Sequence, residues 1–318
     1  EHRARRLIAM KVLVAHGGRS LEREVSHRSG QQAAKALRQL GHEVALVDVG
    51  ADFVDQVARV APDFVFIALH GVGGEDGTVQ DLLEILQVPY TGSDALASAL
   101  CLDKHTFKAL CELRGVPTPP WHSFTKQAFA DYGAGKTLDA LWEQFDGRMI
   151  VKPARQGSSF GLALVQERAQ LGAAVLGAMS YDDRVLLERY VPGRELAVTV
   201  LGPAEAPEPL PVAEIVTSDA IYSFSAHYDI GQAEVRRADL PPDVDARVRE
   251  VAAEAYRAAG CRDFARVDIR LEDDRDPWVL EINTIPGLTE TGPTPLAAEH
   301  GGLTFAQLIE RICARVVG

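Results

Sequence analysis

Apolar residues follow two different periods in the first hundred positions of the chain. Three short apolar runs are typical of buried strands: MKVLVAH, HEVALVDV and PDFVFIALH. Between the first two runs, apolar residues recur at helical spacing, namely Ala33, Ala34, Leu37 and Leu40. Strands that alternate with helices predict an α/β unit with a doubly wound parallel sheet. Ligands of such sheets collect beyond the carboxyl ends of the strands.

A second pair of strands is predicted towards the C-terminal end. ARVDIRL and WVLEINT are rich in apolar and β-branched residues and are separated by an Asp-rich turn, so together they predict a β-hairpin. Because side chains alternate across a strand, we expect Leu280 and Ile282 to point into a core. Helices are predicted at residues 102–114, 243–259 and 304–317.

The other face of this hairpin carries hard oxygen donors beside a cation. Alternation predicts that Asp268, Glu281 and Asn283 converge next to Arg266. Mg²⁺ takes a few protein oxygens together with substrate phosphates, so this face is a candidate metal–phosphate centre. The alternative is a solvated hairpin face. Asn283, a poor strand former followed at once by the turn TIPG, favours the site.

Two loops follow strands of the predicted parallel sheet. In the first loop, Glu22 and Ser26 are four residues apart at a helix start and could hold a small zwitterion, although a helix cap with a solvated glutamate explains the same spacing. His70 ends the third strand, either as a ligand contact or as a satisfied loop histidine. Glu75 and Asp76 lie between glycines and are more typical of a turn. Neither loop has a GxGxxG or GxxxxGK phosphate pattern, so a nucleotide is expected elsewhere.

The stretch RMIVKPARQGSSFGLALV predicts a flap over phosphates. A strand delivers Lys152, and a loop with Gly157, Ser158 and Ser159 turns into a second strand. Backbone donors and hydroxyls in such a loop can wrap phosphate oxygens while the lysine neutralises them. A serine-rich hairpin turn with a surface lysine is the alternative. Lys104, on an upstream helix, is a weaker indication because a lone helix lysine is usually solvated.

Two further segments are candidates for nucleotide contacts. In VLLERYVPGRELAVTVL, Glu188 and Glu195 bracket a turn, and Tyr190 and Val191 give it an apolar edge suited to a flat base. SDAIYSFSAHYDIGQ is aromatic but interrupted by serine and glycine, which favours a lid over a site. Its three aromatic residues are equally consistent with packing: Tyr222, Phe224 and Tyr228.

Composition excludes several kinds of partner. The 318 residues carry a net charge of −12, which argues against nucleic acid as the main partner. The four cysteines form no CxxC pair, so they indicate buried thiols of a reducing compartment rather than a zinc site or a disulfide framework. No apolar run is long enough to cross a bilayer, and EHRARRLIA lacks the core of a signal peptide. A cytoplasmic protein with no membrane partner, beginning naturally at Met10, is predicted.

From Met10 onwards the sequence resembles the D-alanine–D-alanine ligases of the ATP-grasp superfamily. The resemblance rests on seven motifs in order: GGRSLEREVSHRSG, HGVGGEDGT, PYTGSDALASALCLDKHTFK, IVKPARQGSSFG, LLERYVPGRELAV, ARVDIRL and LEINTIPGLT. It implies an ATP-grasp fold, α+β overall, with ATP between the second and third of three domains. These are expected at 10–102 (Rossmann-like), 103–187 (central, with the flexible Gly/Ser loop) and 188–318 (C-terminal, with the metal and substrate site).

The resemblance implies ATP as a co-substrate and two Mg²⁺ ions, for which Mn²⁺ can substitute, and it leaves activation by K⁺ open. Lys104 and Lys152 would contact the ATP phosphates. Asp268, Glu281 and Asn283 would hold the metal ions, in agreement with the strand-face argument. The other expected ATP contacts are Glu188 and the Val191 backbone to the adenine, Glu195 to the ribose, and Ser158, Ser159, Arg189, Tyr190 and His227.

The implied reaction runs in two steps. The carboxylate of one D-alanine attacks the γ-phosphate of ATP, and the amine of a second D-alanine then attacks the resulting acyl phosphate, for peptidoglycan precursor synthesis. Arg266 and the Gly287 N–H would stabilise the oxyanion, and Glu22, linked to the hydroxyls of Ser158 and Tyr228, would hold the first ammonium group. The full set of expected substrate contacts is Glu22, Val25, Ser26, His70, Tyr228, Arg266, Gly287, Leu288 and Gly292.

Two positions depart from the family pattern. His227 stands where a lysine or arginine is usual, which predicts a weaker clamp on the γ-phosphate because histidine is largely neutral at pH 7. Gly292 stands where many members place a serine that grips the second D-alanine, and Thr291 or Thr294 are candidates to replace it. The second substrate therefore stays open between D-alanine and another amino acid or amine.

Three further expectations concern the class of protein and its assembly. A non-catalytic nucleotide-binding protein is disfavoured because both lysines, the three metal ligands and Arg266 are present. A dinucleotide oxidoreductase is disfavoured by the missing glycine fingerprint. The family's tendency predicts a homodimer.

Overall fold

The computed structural model describes residues 9–133, 135–217 and 233–317. Within these ranges the chain forms three sheets with helices packed against them. None of the helices in the described ranges is both long and apolar enough to cross a membrane. The predicted lid lies outside the described residues, and with it Tyr222, Phe224, His227 and Tyr228.

The first sheet is parallel, as the alternation of strands and helices predicts. Its strand order is β2–β1–β3. The strands are β1 (Lys11–His16), β2 (Glu43–Asp48) and β3 (Phe64–Ile67), and the helices are α1 (Arg23–Gln39), α2 (Phe53–Val60) and α3 (Thr78–Ile85). The predicted apolar stripe of α1 is buried at Ala33, Ala34 and Leu37. The carboxyl ends of β1 and β3 lead into the loops that carry Glu22 and His70.

Two consecutive helices, α4 (Ala95–Leu102) and α5 (Lys104–Arg114), connect the first sheet to the rest of the chain. A single helix beginning at Leu102 was predicted, and that start is wrong. Asp103 has an extended backbone between the two helices, and its carboxylate accepts the N–H groups of His105 and Thr106 as an N-cap. This break places Lys104 in the first turn of a new helix.

The second sheet is antiparallel, with strand order β4–β7–β5–β6. It comprises β4 (Trp121–Thr125), β5 (Met149–Pro153), β6 (Ala163–Val165) and β7 (Arg184–Arg189), with α6 (Lys126–Tyr132), α7 (Gly135–Gln144) and α8 (Leu171–Ala178). The predicted Gly/Ser flap joins β5 to β6. Since β7 runs across the expected boundary between residues 187 and 188, the domain limits stay a prediction.

The third sheet contains the predicted hairpin. Its strand order is β11–β10–β8–β12–β13, with β9 paired to β8. The elements are β8 (Arg194–Leu201), β9 (Glu208–Pro209), β10 (Ala213–Thr217), β11 (Ala233–Arg237), β12 (Phe264–Glu272), β13 (Asp276–Asn283), α9 (Pro242–Ala258), α10 (Pro293–His300) and α11 (Phe305–Val317). The strand pair β12–β13 confirms the hairpin, and α9 and α11 confirm two predicted helices to within one residue at each end.

The last helices return to the first sheet. Leu308, Ile309 and Ile312 of α11 are fully buried in one apolar cluster with the strands of that sheet and with α1. A second cluster joins the third sheet to α5 and α9, and a third lies between the second sheet, α7 and α8. The three sheets therefore meet around one junction, where the loops of the first sheet face the hairpin of the third.

Candidate active site

A cavity of ≈ 220 Å³ lies at this junction and is lined by residues from α1 and the loops that follow β1 and β3, and by residues of the second and third sheets. Most of the residues singled out from the sequence line it: Glu22, Val25, His70, Lys104, Lys152, Gly157, Ser158, Ser159, Glu188, Arg189, Tyr190, Val191, Glu195, Arg266, Asp268, Glu281, Asn283, Gly287, Thr291 and Gly292. The motifs, which are far apart in the sequence, therefore converge on a single site.

The hairpin presents its oxygen donors on one face of adjacent strands. Arg266 pairs with Asn283 across the two strands, and Asp268 pairs with Glu281, so the four side chains stand together as alternation predicts. The pairing shifts immediately after Asp268, which leaves Leu280 as an extra residue in a β-bulge. The prediction that Leu280 points into the core is wrong for this reason, because the bulge turns it towards the cavity.

Cations neutralise the two carboxylates of this face. Arg266 donates two hydrogen bonds to Asp268, at 2.6 and 2.7 Å, and the Lys104 ammonium lies 2.9 Å from Glu281. Burial alone would raise the pKa of Glu281, but Lys104, Lys152 and Arg266 hold that pKa at about 2. Burial raises the pKa of Asp268 above its ordinary value despite the attraction of Arg266. Glu281 is thus firmly ionised, whereas a further positive charge nearby would stabilise the ionised form of Asp268.

The same face fits a divalent cation. Two carboxylates and an amide oxygen are hard donors of the kind that Mg²⁺ binds. The Oδ1 atom of Asn283 is buried and has no hydrogen-bond partner within the described part of the chain. Burial of a polar oxygen without a partner lowers the stability of the folded state. A bound cation, which accepts a lone pair from this oxygen, would remove that loss.

Behind this face, Glu188 lies between two lysines. Its carboxylate is 2.6 Å from the Lys152 ammonium and 2.8 Å from that of Lys108. Burial would raise the pKa of Glu188, but the two ammonium groups lower it below its ordinary value. Burial lowers the pKa of Lys108 against the pull of Glu188. Glu188, Lys152 and Lys108 together fix the inner wall of the cavity. Sequence analysis did not identify Lys108 as part of the site, because this lysine lies on a helix beside the apolar Phe107 and Cys111.

The Gly/Ser flap touches the first sheet. The Ser158 hydroxyl donates a hydrogen bond to Glu22, and the Lys104 ammonium donates to the Gln156 carbonyl at 2.6 Å. A Cβ atom on Gly157 would lie 2.9 Å from the Glu22 carboxylate, so a side chain at this position would displace that carboxylate. Burial raises the pKa of Glu22, against the effects of Ser158, Lys104 and Arg266. The flap therefore closes over a half-buried carboxylate, Glu22, that has no direct ion pair with a cation in the described residues.

The turn after β7 has its own buried acid. Arg270 donates to Glu195 at 3.1 Å and to the Val191 carbonyl at 3.1 Å. Burial raises the pKa of Glu195 to about 7, although Arg270 opposes the shift. Arg189 donates two hydrogen bonds to Glu272, and its guanidinium group stacks over Trp278. Arg270 was not singled out from the sequence, although it follows the alternation of Arg266 and Asp268 on β12.

Two expected substrate contacts do not line the cavity. The Ser26 hydroxyl is buried, accepts the Gly17 N–H and donates to the Ala68 carbonyl, so Ser26 fixes helix α1 instead. Leu288 is buried in the apolar cluster of the first sheet. The expectation for Ser26 followed from its spacing with Glu22, and that for Leu288 from the family resemblance, whereas tertiary packing buries both side chains.

The region around Gly292 offers threonine hydroxyls. Thr294 is fully buried and bonded to Thr199, so it does not reach the cavity, whereas Thr291 lines it. Thr289 also lines the cavity, and its hydroxyl would lie 3.3 Å from a Cβ atom on Gly292.

The loop after β3 forms the turn that was predicted for Glu75 and Asp76. The prediction is confirmed, since the carboxylates of these two residues accept backbone N–H groups of the same loop.

His70 is predicted to make the protein sensitive to acid. Burial, with a smaller effect of Arg266, lowers the pKa of His70 from 6.5 to about 4. The folded pKa lies below the unfolded one, so between these values the unfolded chain binds a proton that the folded chain excludes, and stability falls as the pH falls. Between pH 7 and pH 4.5, the free energy of unfolding is expected to fall by about 2 to 3 kcal/mol because of His70 alone.

Urea unfolding of the wild type and of His70→Asn at pH 7 and pH 4.5 measures this contribution. The variant is expected to lose less stability than the wild type over the same interval, because all other titrating groups are shared. Equal losses in the two proteins would contradict the assignment of a neutral, buried ring to His70.

Comparisons with known proteins agree with the geometry. The family model for the D-ala D-ala ligase N-terminus matches residues 53–93, and the model for the D-ala D-ala ligase C-terminus matches residues 110–314. The chain is 40% identical over 303 residues to the D-alanine–D-alanine ligase of Aquifex aeolicus, covering 95% of this chain and 99% of that one. It is 40% identical over 306 residues to that of Moorella thermoacetica, covering 95% and 98%.

Solved structures show the same likeness. The D-alanine–D-alanine ligase of Bacillus anthracis complexed with ATP has a TM-score of 0.83 and 28% identity, with 97% of each chain covered. The VanG D-Ala:D-Ser ligase of Enterococcus faecalis has a TM-score of 0.81 and 26% identity, with 97% of this chain and 100% of that chain covered. Three sheets around a cavity lined by lysines, an arginine and hard oxygen donors define an ATP-grasp ligase. The chain belongs to the D-alanine–D-alanine ligase family.

Proposed function

We propose that this protein joins two D-alanines into D-alanyl-D-alanine, with conversion of ATP to ADP and phosphate, for peptidoglycan precursor synthesis. The observation that carries the proposal is a half-buried carboxylate, Glu22, in the same cavity as Lys104, Lys152 and Arg266. An amino acid has both charges that this cavity complements. Its ammonium group would supply the counter-charge that Glu22 lacks, and its carboxylate would face the cations.

In the first step, the carboxylate of D-alanine attacks the γ-phosphate of ATP. Lys104 and Lys152 neutralise the negative charge that spreads over the phosphoryl oxygens, and Glu22 holds the ammonium group in place. The Gly/Ser flap covers the reacting groups through Ser158 and Ser159 and excludes water, which would hydrolyse an acyl phosphate. Tyr228 and His227 are proposed to complete this cover.

In the second step, the amine of the second D-alanine attacks the acyl carbon, and phosphate leaves. The oxygen of that carbon becomes negatively charged, and Arg266 together with the Gly287 N–H stabilises it. Arg266 is held by two hydrogen bonds to Asp268, so its guanidinium group is oriented before the substrate arrives. Val25 and His70 lie on the side of the first substrate.

Asp268, Glu281 and Asn283 are proposed to hold two Mg²⁺ ions, for which Mn²⁺ can substitute. The hard oxygen donors and the unpartnered Asn283 oxygen support this assignment. Bound Mg²⁺ supplies neutralising charge to the ATP phosphates. Asp268, whose pKa burial raises, would be ionised more readily beside such a charge.

The adenine is proposed to lie at the turn after β7. The Val191 backbone, Tyr190 and Arg189 line that end of the cavity, and Glu195 is available to the ribose. The Glu188 carboxylate is engaged by two lysines, so we propose that it acts on ATP mainly by holding Lys152.

Several properties of the whole protein belong to the same proposal. We propose a cytoplasmic homodimer with three domains near the expected limits of 10–102, 103–187 and 188–318. Its small-molecule substrates fit a chain with a net charge of −12, which does not favour nucleic acid.

A second candidate is a ligase of the same chemistry with a different second amino acid. Gly292 supports this alternative because it brings no side chain to the end of the cavity where a second substrate would bind. The structural likeness to a D-Ala:D-Ser ligase gives the alternative a definite substrate to test.

ADP release by the purified protein, with the product weighed by mass spectrometry, tests both candidates. Release is expected to require D-alanine and Mg²⁺, to be absent with L-alanine or EDTA, and to yield the dipeptide. ATP binding without turnover in D-alanine, but turnover when D-serine or another amine is added, would favour the second candidate. Addition of K⁺ shows whether that ion activates.

A further inference from the structure

The turn that carries Gly287 is held at both ends by two side chains, Ser29 on α1 and His70 in the loop after β3. The His70 Nδ1 atom lies 2.8 Å from the Ile285 carbonyl oxygen, and the Leu288 N–H donates to the Ser29 hydroxyl at 3.1 Å. The His70 Nε2 atom lies 2.9 Å from that same hydroxyl. A continuous chain of hydrogen bonds therefore runs from Leu288 through Ser29 and His70 back to Ile285, and Gly287 lies inside the loop it closes.

The direction of each hydrogen bond follows from the groups involved. A carbonyl oxygen only accepts, so the Nδ1 atom of His70 carries the proton, and in a neutral ring Nε2 is then an acceptor. A backbone N–H only donates, so the Ser29 hydroxyl accepts from Leu288 and is free to donate to Nε2. Ser29 is 0% exposed and His70 is 5% exposed, so the described contacts of these groups are within the protein. Such a chain of aligned bonds is cooperative.

Gly287 needs this support from outside. It has no side chain of its own to pack, and among the described residues a Cβ atom at that position would have only Val25 within 4 Å, at 4.0 Å. A backbone donor stabilises an oxyanion only when its direction is fixed before charge develops. The hydrogen bonds to Ile285 and Leu288, which flank Gly287, restrain the backbone of this turn.

We propose that Ser29 and His70 are positioning residues, which together aim the Gly287 N–H at the oxygen that becomes negative in the reaction. The inference rests on the ligase reaction proposed above. It replaces the expected role of His70 as a polar contact to the substrate, because both ring nitrogens are occupied within the protein. Neither Ser29 nor His70 contacts the reacting atoms, because both residues act through the turn that carries Gly287.

The pair also links two parts of the site. Ser29 lies on α1, and Glu22 stands at the N-terminal end of that same helix. Helix α1 therefore carries one of the two residues that anchor the turn of Gly287, and the group proposed to hold the first ammonium stands at its N-terminal end.

Steady-state kinetics of Ser29→Ala, His70→Asn and the double variant test the inference. Each single variant is expected to lower kcat about tenfold while the Kd for ATP changes less than twofold. The double variant is expected to be no slower than the slower single variant, because either change breaks the same chain. Ser29→Thr, which restores the hydroxyl, is expected to recover most of the lost kcat.

Ser98→Ala is the matched control. Ser98 is a fully buried helix serine whose hydroxyl donates to a backbone carbonyl, but it has no contact with the turn. Thermal unfolding of all variants separates stability from turnover, and Ser98→Ala is expected to retain wild-type kcat. Losses of kcat that multiply in the double variant, or equal losses of kcat and ATP affinity, would overturn the inference.

Nitrogen NMR of the His70 ring gives a readout that does not depend on the reaction. The wild type at pH 7 is expected to show a neutral ring with the proton on Nδ1, and Ser29→Ala is expected to keep that tautomer, because the Ile285 carbonyl remains, but to shift the Nε2 resonance, because Nε2 loses its hydrogen-bond donor. A charged ring, or a proton on Nε2 in the wild type, would overturn the inference. A wild type that shows the expected ring but forms no dipeptide would instead count against the proposed function.

Discussion

Arg266→Ala is expected to lower kcat by about 10² to 10³ while the Kd for ATP stays within a few fold of the wild type. A preorganised oxyanion donor acts mainly in the transition state, so its removal slows turnover without weakening ground-state binding to the same degree. The guanidinium group is well placed for this role because two bonds to Asp268 fix its plane. Arg266→Lys is expected to recover little, because a lysine cannot reproduce that forked contact.

Arg270→Ala is the matched control for this prediction. Arg270 lies two residues further along β12 and is also paired with a buried acid, Glu195. It borders the end of the cavity proposed for the ribose, so its removal is expected to raise the Kd for ATP more than it lowers kcat. ADP release gives kcat, and calorimetric titration gives the Kd. Equal losses of turnover and ATP affinity in Arg266→Ala would refute the oxyanion role.

Glu188→Gln is expected to lower the free energy of unfolding by about 3 to 5 kcal/mol, because it leaves two buried ammonium groups without their carboxylate. Lys108 is 0% exposed, so water cannot replace the lost partner. The only other described hydrogen-bond partner of the Lys108 ammonium is the Thr118 hydroxyl, to which it donates at 2.6 Å. Urea unfolding at pH 7 measures the loss.

The double variant Lys108→Met/Glu188→Gln controls for the loss of the carboxylate itself. Removing the unpaired ammonium is expected to restore part of the stability, so the effects of the two single changes are expected not to add. Thr118 keeps a partner in this variant, since its hydroxyl donates to the Val279 carbonyl. Additive losses would show that Lys108 and Glu188 do not depend on each other.

Local patterns predicted the parts of the fold that local physics determines. The pattern of apolar residues predicted the three parallel strands, helix α1 and the β12–β13 hairpin. Each of these elements buries apolar side chains, so its sequence repeats them with the period of that element. The alternation of Arg266 and Asp268 along one strand placed them together with Glu281 and Asn283. These predictions needed no knowledge of what lies on the other side of the cavity.

Features that depend on pairing between distant segments could not be predicted in this way. The β-bulge at Leu280 arises from the register between β12 and β13, and no local pattern announces it. Lys108 looks like a solvated helix lysine until Glu188 is brought to it by another sheet. The partners of Ser29 are more than forty positions away in the sequence, and only the serine spacing in REVSHRSG, three residues from Ser26, hinted at a second inward hydroxyl.

The return of helix α11 to the first sheet bears on how the chain is made. Leu308, Ile309 and Ile312 complete the apolar cluster that begins with the strand Lys11–His16. During translation the first sheet is therefore synthesised early and keeps an uncovered apolar surface until residues 305–317 emerge. Contacts between such distant segments slow folding and leave partly folded chains prone to aggregation. The nascent chain is therefore expected to be most prone to aggregation before residues 305–317 emerge.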